Sequence, residues 1–559
     1  LTFMKKVSLL IFSFFFVLFL TAQTTYYVDA SKSGNTGAGT SWATAKKDIQ
    51  NAIALATSGD QIWIKSGTYY PTQDAAGNIS PANNRDKTFL LKEGVKMYGG
   101  FAGTETLLSQ RNYKTNISIL SGDLGTVNTV TDNAYHVVLS VNLTSATVLD
   151  GITVSGGYAT APWQSSITVS TRVIDRYKGA GIYNVYSSTA FSNCTIKNNS
   201  ADCTDQNDDA WGAGVVNDIC SSTFSNCIIK DNSFLVGGNS FGVFGSWMNI
   251  FNCSCTLYKC VFSNNTSGSG FLDASRGGAL YIVYGSTTIT NCIFYNNTAQ
   301  NGAALALGGA ENNLSTFNNC TFANNTSSYA GTGFSGFADA VFKNCIFWNN
   351  TPTISTVAGR NEIYAQDNRV AYQPTFTNCL VRDASGSPLS VTYTSMTGTL
   401  NGNPLFVNIS DGDGADNDWG TADDGLILQS SSPAKNTGMT GTGIPSTDFI
   451  GIIRDGQPDI GAYEYALITI ATWNGTTWSN GSPTSTVDAI IASSTAPASF
   501  TCNTLTINNG VALTTTGITA TVNGNITNNG NGIAGTGDII VNANSTLSGN
   551  AISFNGKLI

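Results

Sequence analysis

The chain has 559 residues, of which 11% are charged and 41% hydrophobic, with 59 Gly and a heavy weight of Asn, Ser and Thr. That apolar content builds a long core and excludes a disordered chain. A net charge of -9, with no Lys/Arg cluster larger than the pairs Lys5-Lys6 and Lys46-Lys47, excludes nucleic acid and anionic lipid as expected partners.

Residues 1–22 read as a secretory signal: a basic start at Met4-Lys5-Lys6, an apolar run from Leu9 to Leu20, and a small residue at Ala22. The run is too short to span a bilayer, and no later stretch reaches that length, so no transmembrane segment is expected in the mature chain. The predicted location is secreted, extracellular or outer cell surface.

Residues 23–130 are expected to form an N-terminal cap and the first coils of a solenoid. Ala45, Ile49, Ala52, Ile53 and Ala56 recur at helical spacing after Thr40 or Ser41, which predicts a short amphipathic plug. The alternation in Gly59-Asp60-Gln61-Ile62-Trp63-Ile64 predicts the first strand, with Ile62 and Ile64 inward.

A repeat governs residues 131–400. NCTIKNNS from Asn193 returns as NCIIKDNS, KCVFSNNT, NCIFYNNT, NCTFANNT, NCIFWNNT and NCLVRDAS, so that Cys194, Cys227, Cys260, Cys292, Cys320, Cys345 and Cys379 follow one another every 25 to 34 residues. A Gly-rich run precedes most of these cysteines, as in Gly179-Ala180-Gly181-Ile182. Each unit therefore holds at least two short strands and no helix, which is one coil of a parallel β-solenoid. Cysteine and the apolar residue two positions on share the inward face, and Asn-Asn bends the chain, with its amides available to the neighbouring coil. The cysteines are expected to fill the core; Cys203, Cys220, Cys253 and Cys255, outside the ladder, leave disulfides open.

Coil length varies between the Asn-Asn turn and the next Gly-rich run, so the insertions should project from one corner. Asp175-Arg176-Tyr177-Lys178, Asp208-Asp209-Ala210-Trp211 and Asp273-Ala274-Ser275-Arg276 stand there in successive units. Cleavage of a uronate chain by β-elimination needs a neutralising cation and a basic side chain. On that reading Arg176, Lys178 and Arg276 are the candidate base or clamp, Tyr177 and Trp211 stack on sugar, and Asp208 and Asp209 hold calcium. Asp208 and Asp209 could instead be the acid-base pair of a glycoside hydrolase. The plainer reading makes all of these solvated corner charges. His136, the one histidine, is expected to be structural and cannot build a multi-His zinc centre.

Residues 401–466 form a closing segment. Asp411, Asp413, Asp416 and Asp418, with Gly at the bends, predict a calcium loop or a solvated acidic loop, without EF-hand spacing. Residues 467–559 change to short Thr/Val/Ile strands between Asn-Gly turns, a second β-rich module expected to continue past Ile559.

YYVDASKSGNTGAGTSWATAKKDIQNAI, GDQIWIKSGTYYP, MYGGFAGTE, the NCxFxNN coils and the final DIGAYE resemble secreted bacterial proteins of the pectate-lyase-like β-helix superfamily. NPLFVN through SSPAKNTG to Asp459-Glu464 is similar to the choice-of-anchor Q type. The resemblance implies an all-β, right-handed parallel β-helix acting on extracellular polysaccharide or at the cell surface. The hydrolases of that superfamily that cut pectin use a Gly-His-Gly motif, which is absent here.

Two function classes remain. One is a noncatalytic module that binds polysaccharide or a surface glycan, with Trp163, Trp211, Trp247 and Tyr177 as stacking platforms. The other is a calcium-dependent polysaccharide lyase working at the insertion corner.

Overall fold

The computed structural model describes residues 23–559 apart from 161, 163, 204–210, 237–242, 245–247, 268–274, 277, 309–313, 331, 337–338, 354–361, 366–373, 382–394, 466–469, 480–481, 486, 542–545, 551–555 and 558. The expected signal over 1–22 lies outside the described residues, as do Asp208, Asp209, Trp163 and Trp247.

The chain winds into a right-handed parallel β-helix. One coil runs through the strands Ile182–Val185, Ala190–Ser192, Thr195–Lys197 and Ser200–Cys203. The next repeats them as Val215–Asp218, Thr223–Ser225, Ile228–Lys230 and Ser233–Val236. Each strand pairs in parallel with its counterpart one coil on. Four sheets result, of twelve, ten, nine and nine strands. The strands are short because turn residues interrupt them every few positions.

Period-two alternation decides what fills the interior. Phe191, Cys194 and Ile196 point inward and are buried together with their equivalents in later coils. Because coils repeat at strand spacing, roughly 4.8 Å, identical side chains stack on themselves: Phe262, Phe294, Phe322 and Phe347 form a column with ring centroids 4.8, 4.6 and 4.3 Å apart. The repeat cysteines are free and buried in this core, as are Cys220, Cys253 and Cys255, while the side chain of Cys203 lies outside the described set. Burial pushes the thiols of Cys194, Cys227, Cys260 and Cys292 well above their ordinary range.

The two asparagines of each turn do different work. The first takes the left-handed conformation, with φ of 53° at Asn198, 55° at Asn264 and 54° at Asn296. The second is buried and donates its amide to the next coil: Asn199 to Asn232 and Asn232 to Asn265 at 3.1 Å, Asn265 to Asn297 and Asn297 to Asn325 at 2.9 Å, then Asn325 to Asn350 at 2.8 Å. Glu362 ends the ladder, accepting from the Asn350 amide at 2.6 Å. The Gly-rich run has an equally local cause. A Cβ on Gly181 would stand 2.4 Å from the Gly214 carbonyl, too close for any side chain between those coils.

The N-terminal plug differs from expectation. The helix is Ile49–Leu55, preceded by Asp48, and Ser41 instead belongs to a turn that accepts the Thr44 amide. Asn35 fixes the turn that leads into the helix, its side-chain oxygen accepting the amides of Lys47 and Asp48 at 2.8 and 2.9 Å. Ile62 and Ile64 are buried as expected, but the strand Thr25–Val28 precedes them in the chain and pairs in parallel with Gln61–Lys65.

Past residue 470 the strands are again parallel. Leu505–Ile507 pairs with Ile526–Asn528, which pairs with Leu547–Gly549. This module is a second solenoid with shorter coils and its own core around Ile491, Leu505, Ile507 and Ile526.

Candidate functional site

The predicted corner is brought together only in part. Lys178 and Trp211 bridge in parallel register, with the ammonium 5.0 Å from the indole centroid. The lysine is held by Asp175 at 2.8 Å. Arg176 makes a forked contact with Asp86, 2.7 Å on each arm, and reaches the Ser165 hydroxyl at 3.1 Å. That carboxylate raises the guanidinium pKa. Tyr177 is buried. Arg276 lies in a short strand, but its side chain is outside the described set, as are Asp208 and Asp209. Arg176 therefore ties its segment to Asp86, 90 residues away in the chain, while the Lys178 ion pair is local.

His136 is buried in the wall, its Nδ1 3.1 Å from the Gly179 carbonyl and its ring against Tyr183. Burial lowers its pKa to about 4.

The acidic loop is held by protein contacts. Asp418 binds Lys114 at 2.6 Å, and one Asp416 oxygen accepts the Asp418 amide at 2.9 Å. Among the described residues no group of three or more His, Cys, Asp or Glu side chains converges as metal ligands. Asp411, Asp413, Asp416 and Asp418 lie along one loop of the closing segment. Asp424, beside them, is buried and accepts from the Gly420 amide and the Tyr463 hydroxyl, and burial pushes its pKa up to about 7.

What the sequence missed lies on the outer face of the ten-stranded sheet. In each repeat the residues on either side of the inward apolar position point out. They read Thr195 and Lys197, then Ile228 and Lys230, then Val261 and Ser263, Ile293 and Tyr295, Ile346 and Trp348. The later pairs are apolar because the closing segment packs on them: Phe406, Trp419, Leu426, Phe449, Ile460 and Tyr463 share one buried cluster with Ile293, Tyr295, Ile346 and Trp348. The earlier pairs stay open.

Where the cover stops, a groove of about 570 Å³ remains. Its floor is Ile152, Thr153, Thr195, Lys197, Ile228, Lys230 and Val261. Tyr113, Lys114 and Ile117 flank it on one side, Asp418, Trp419 and Phe449 on the other, and Lys259 stands at the turn. Four lysines and a single carboxylate line it. Lys197 and Lys230 are register partners, one coil apart. Lys114 is paired with Asp418; among the described residues Lys197, Lys230 and Lys259 make no ion pair, and Lys259 rests 5.5 Å from the Tyr258 ring. The signal was present in the repeat as Lys in the same outward slot of NCTIKNNS and NCIIKDNS.

One comparison with known proteins, a family model, supports the architecture. A family model described as right handed beta helix region matches residues 251–423. No curated protein sequence matches the chain. Among solved structures, the pectate lyase Pel9A is 13% identical with a TM-score of 0.49, covering 79% of this chain and 97% of its own. A rhamnogalacturonan lyase is 11% identical with a TM-score of 0.36, covering 73% and 97%, and a PL6 family alginate lyase is 10% identical with a TM-score of 0.28, covering 91% and 71%. No described helix is long and apolar enough to cross a membrane. With its stacked parallel coils and the family match over their later part, the chain is a right-handed parallel β-helix protein.

Proposed function

We propose that this is an exported protein, secreted or held at the outer surface, whose lysine groove binds a carboxylate-bearing polysaccharide without cleaving it. The observation that carries the reading is the set Lys197, Lys230 and Lys259, unpaired among the described residues and gathered on one groove of a chain whose net charge is -9. Cations left unpaired on an acidic protein concentrate an opposite charge there, and a stack of coils repeats the contact along a polymer. Hydroxyls and aliphatic side chains of the floor suit sugar rings between the charges.

The test is retention of the mature protein on polygalacturonate and alginate against neutral dextran, at low and high salt. Binding to the two polyuronates that fades as salt screens the charges is expected; no retention on either at low salt sinks the reading. The same mixtures, with and without calcium, separate binding from lyase action. Unsaturated uronate appearing over time, and lost in Lys178→Ala or Arg176→Ala, would put a lyase at the insertion corner in its place.

A further inference from the structure

We infer that the Lys114–Asp418 ion pair is a clasp on the groove, opened when a polymer carboxylate takes the place of Asp418, so that Asp418 is a specificity-determining residue. The inference rests on the polyanion reading of the groove.

Lys114 and Asp418 are 304 residues apart in sequence and come from the two elements that flank the groove. Their backbones are held independently of the pair. The Asn112 side chain accepts the Lys114 amide at 3.0 Å and the Thr115 amide at 3.2 Å, while the Asp418 amide is taken by Asp416 and the adjacent Trp419 is buried against Tyr295. Only two side chains need to move for the clasp to open. Their exposures, 49% and 41%, place them in water, where such a pair is weak and readily exchanged.

The pair also displays the contact the groove is built to make. A Lys114 ammonium 2.6 Å from a carboxylate shows the chemistry an arriving uronate would offer at that spot. Asp418 is therefore an internal competitor. A single carboxylate gains nothing by exchanging with it, whereas a chain that also engages Lys197, Lys230 and Lys259 repays the exchange several times over. The clasp thus selects polymers over monomeric uronates.

The test uses oligogalacturonates of increasing length and galacturonic acid monomer, with the full mature chain. Asp418→Asn keeps the size and removes the competitor, so it is expected to bind oligomers about two- to fivefold more tightly and to narrow the gap between long and short ligands. Lys114→Ala, which removes a ligand contact, is expected to weaken binding. Melting curves confirm that each variant is folded. Wild-type binding with unchanged affinity and length dependence in Asp418→Asn overturns the clasp and leaves the groove standing. No binding of any length by wild type or Asp418→Asn overturns the groove reading itself.

Discussion

Lys197 and Lys230 are direct partners on neighbouring parallel strands, so two ammonium groups leave the same face of the sheet one coil apart. Like charges placed this way oppose each other and weaken the sheet. Replacing both by Ala is therefore expected to leave melting unchanged or slightly raised. Affinity for polygalacturonate should fall about tenfold, which is about 1.4 kcal/mol. Isothermal titration beside a melting curve checks both, and loss of stability with intact affinity would show that the pair serves the fold.

The asparagine ladder makes a sharper stability prediction. Asn265 donates to the Ile229 carbonyl and to Asn297, and accepts from the Asn232 amide and side chain. Asn265→Ala leaves these buried partners unsatisfied and should cost about 3 kcal/mol in denaturant unfolding. Its exposed neighbour Asn264, at φ 55°, should tolerate Gly within about 0.5 kcal/mol.

The cysteine column predicts chemistry by its silence. Burial holds the thiols of Cys194, Cys227, Cys260 and Cys292 protonated, so a thiol reagent should modify them only after unfolding. A reducing agent should not shift the melting temperature. A drop on reduction would mean that bridges staple the coils.

Asp424 should give the closing segment a pH dependence. Burial raises its pKa from 3.8 to about 7, so the folded segment favours the protonated acid. That preference is fully present below the unfolded value and is lost as pH rises through about 7. Between about pH 4 and pH 7 the contribution of this group to stability declines, and Asp424→Asn, permanently neutral, should flatten that part of the curve. Melting temperature measured across the range is the check, with a decline of a few degrees expected in the wild type and a shallower one in Asp424→Asn, where Glu464, also raised to about 7 by burial, still titrates.

Much of the architecture was legible because it is local and repeated. Cys194, Ile196 and Asn199 declare inward face and turn within one short unit, and the unit recurs often enough to fix the stacking of coils. The Asn-Asn turn was readable for the same reason, since left-handed tolerance belongs to the residue itself. Helix onset was not, because Asn35 acts on Lys47 and Asp48 from more than a full turn of chain away.

The site divides along the same line. Lys197 and Lys230 hold the same slot in consecutive repeats, but the sequence reading did not single them out, and strand pairing is what shows them to be neighbouring charges. Only the tertiary structure decided that the closing segment would fold back over Tyr295 and Trp348, stop short of Lys230, and bring Asp418 to Lys114. A repeat specifies its neighbours by period, but which coils are covered depends on how far a later segment reaches across the outer face. That length is set by contacts more than a hundred residues apart, such as the hydrogen bond from Tyr295 to the Ile409 carbonyl.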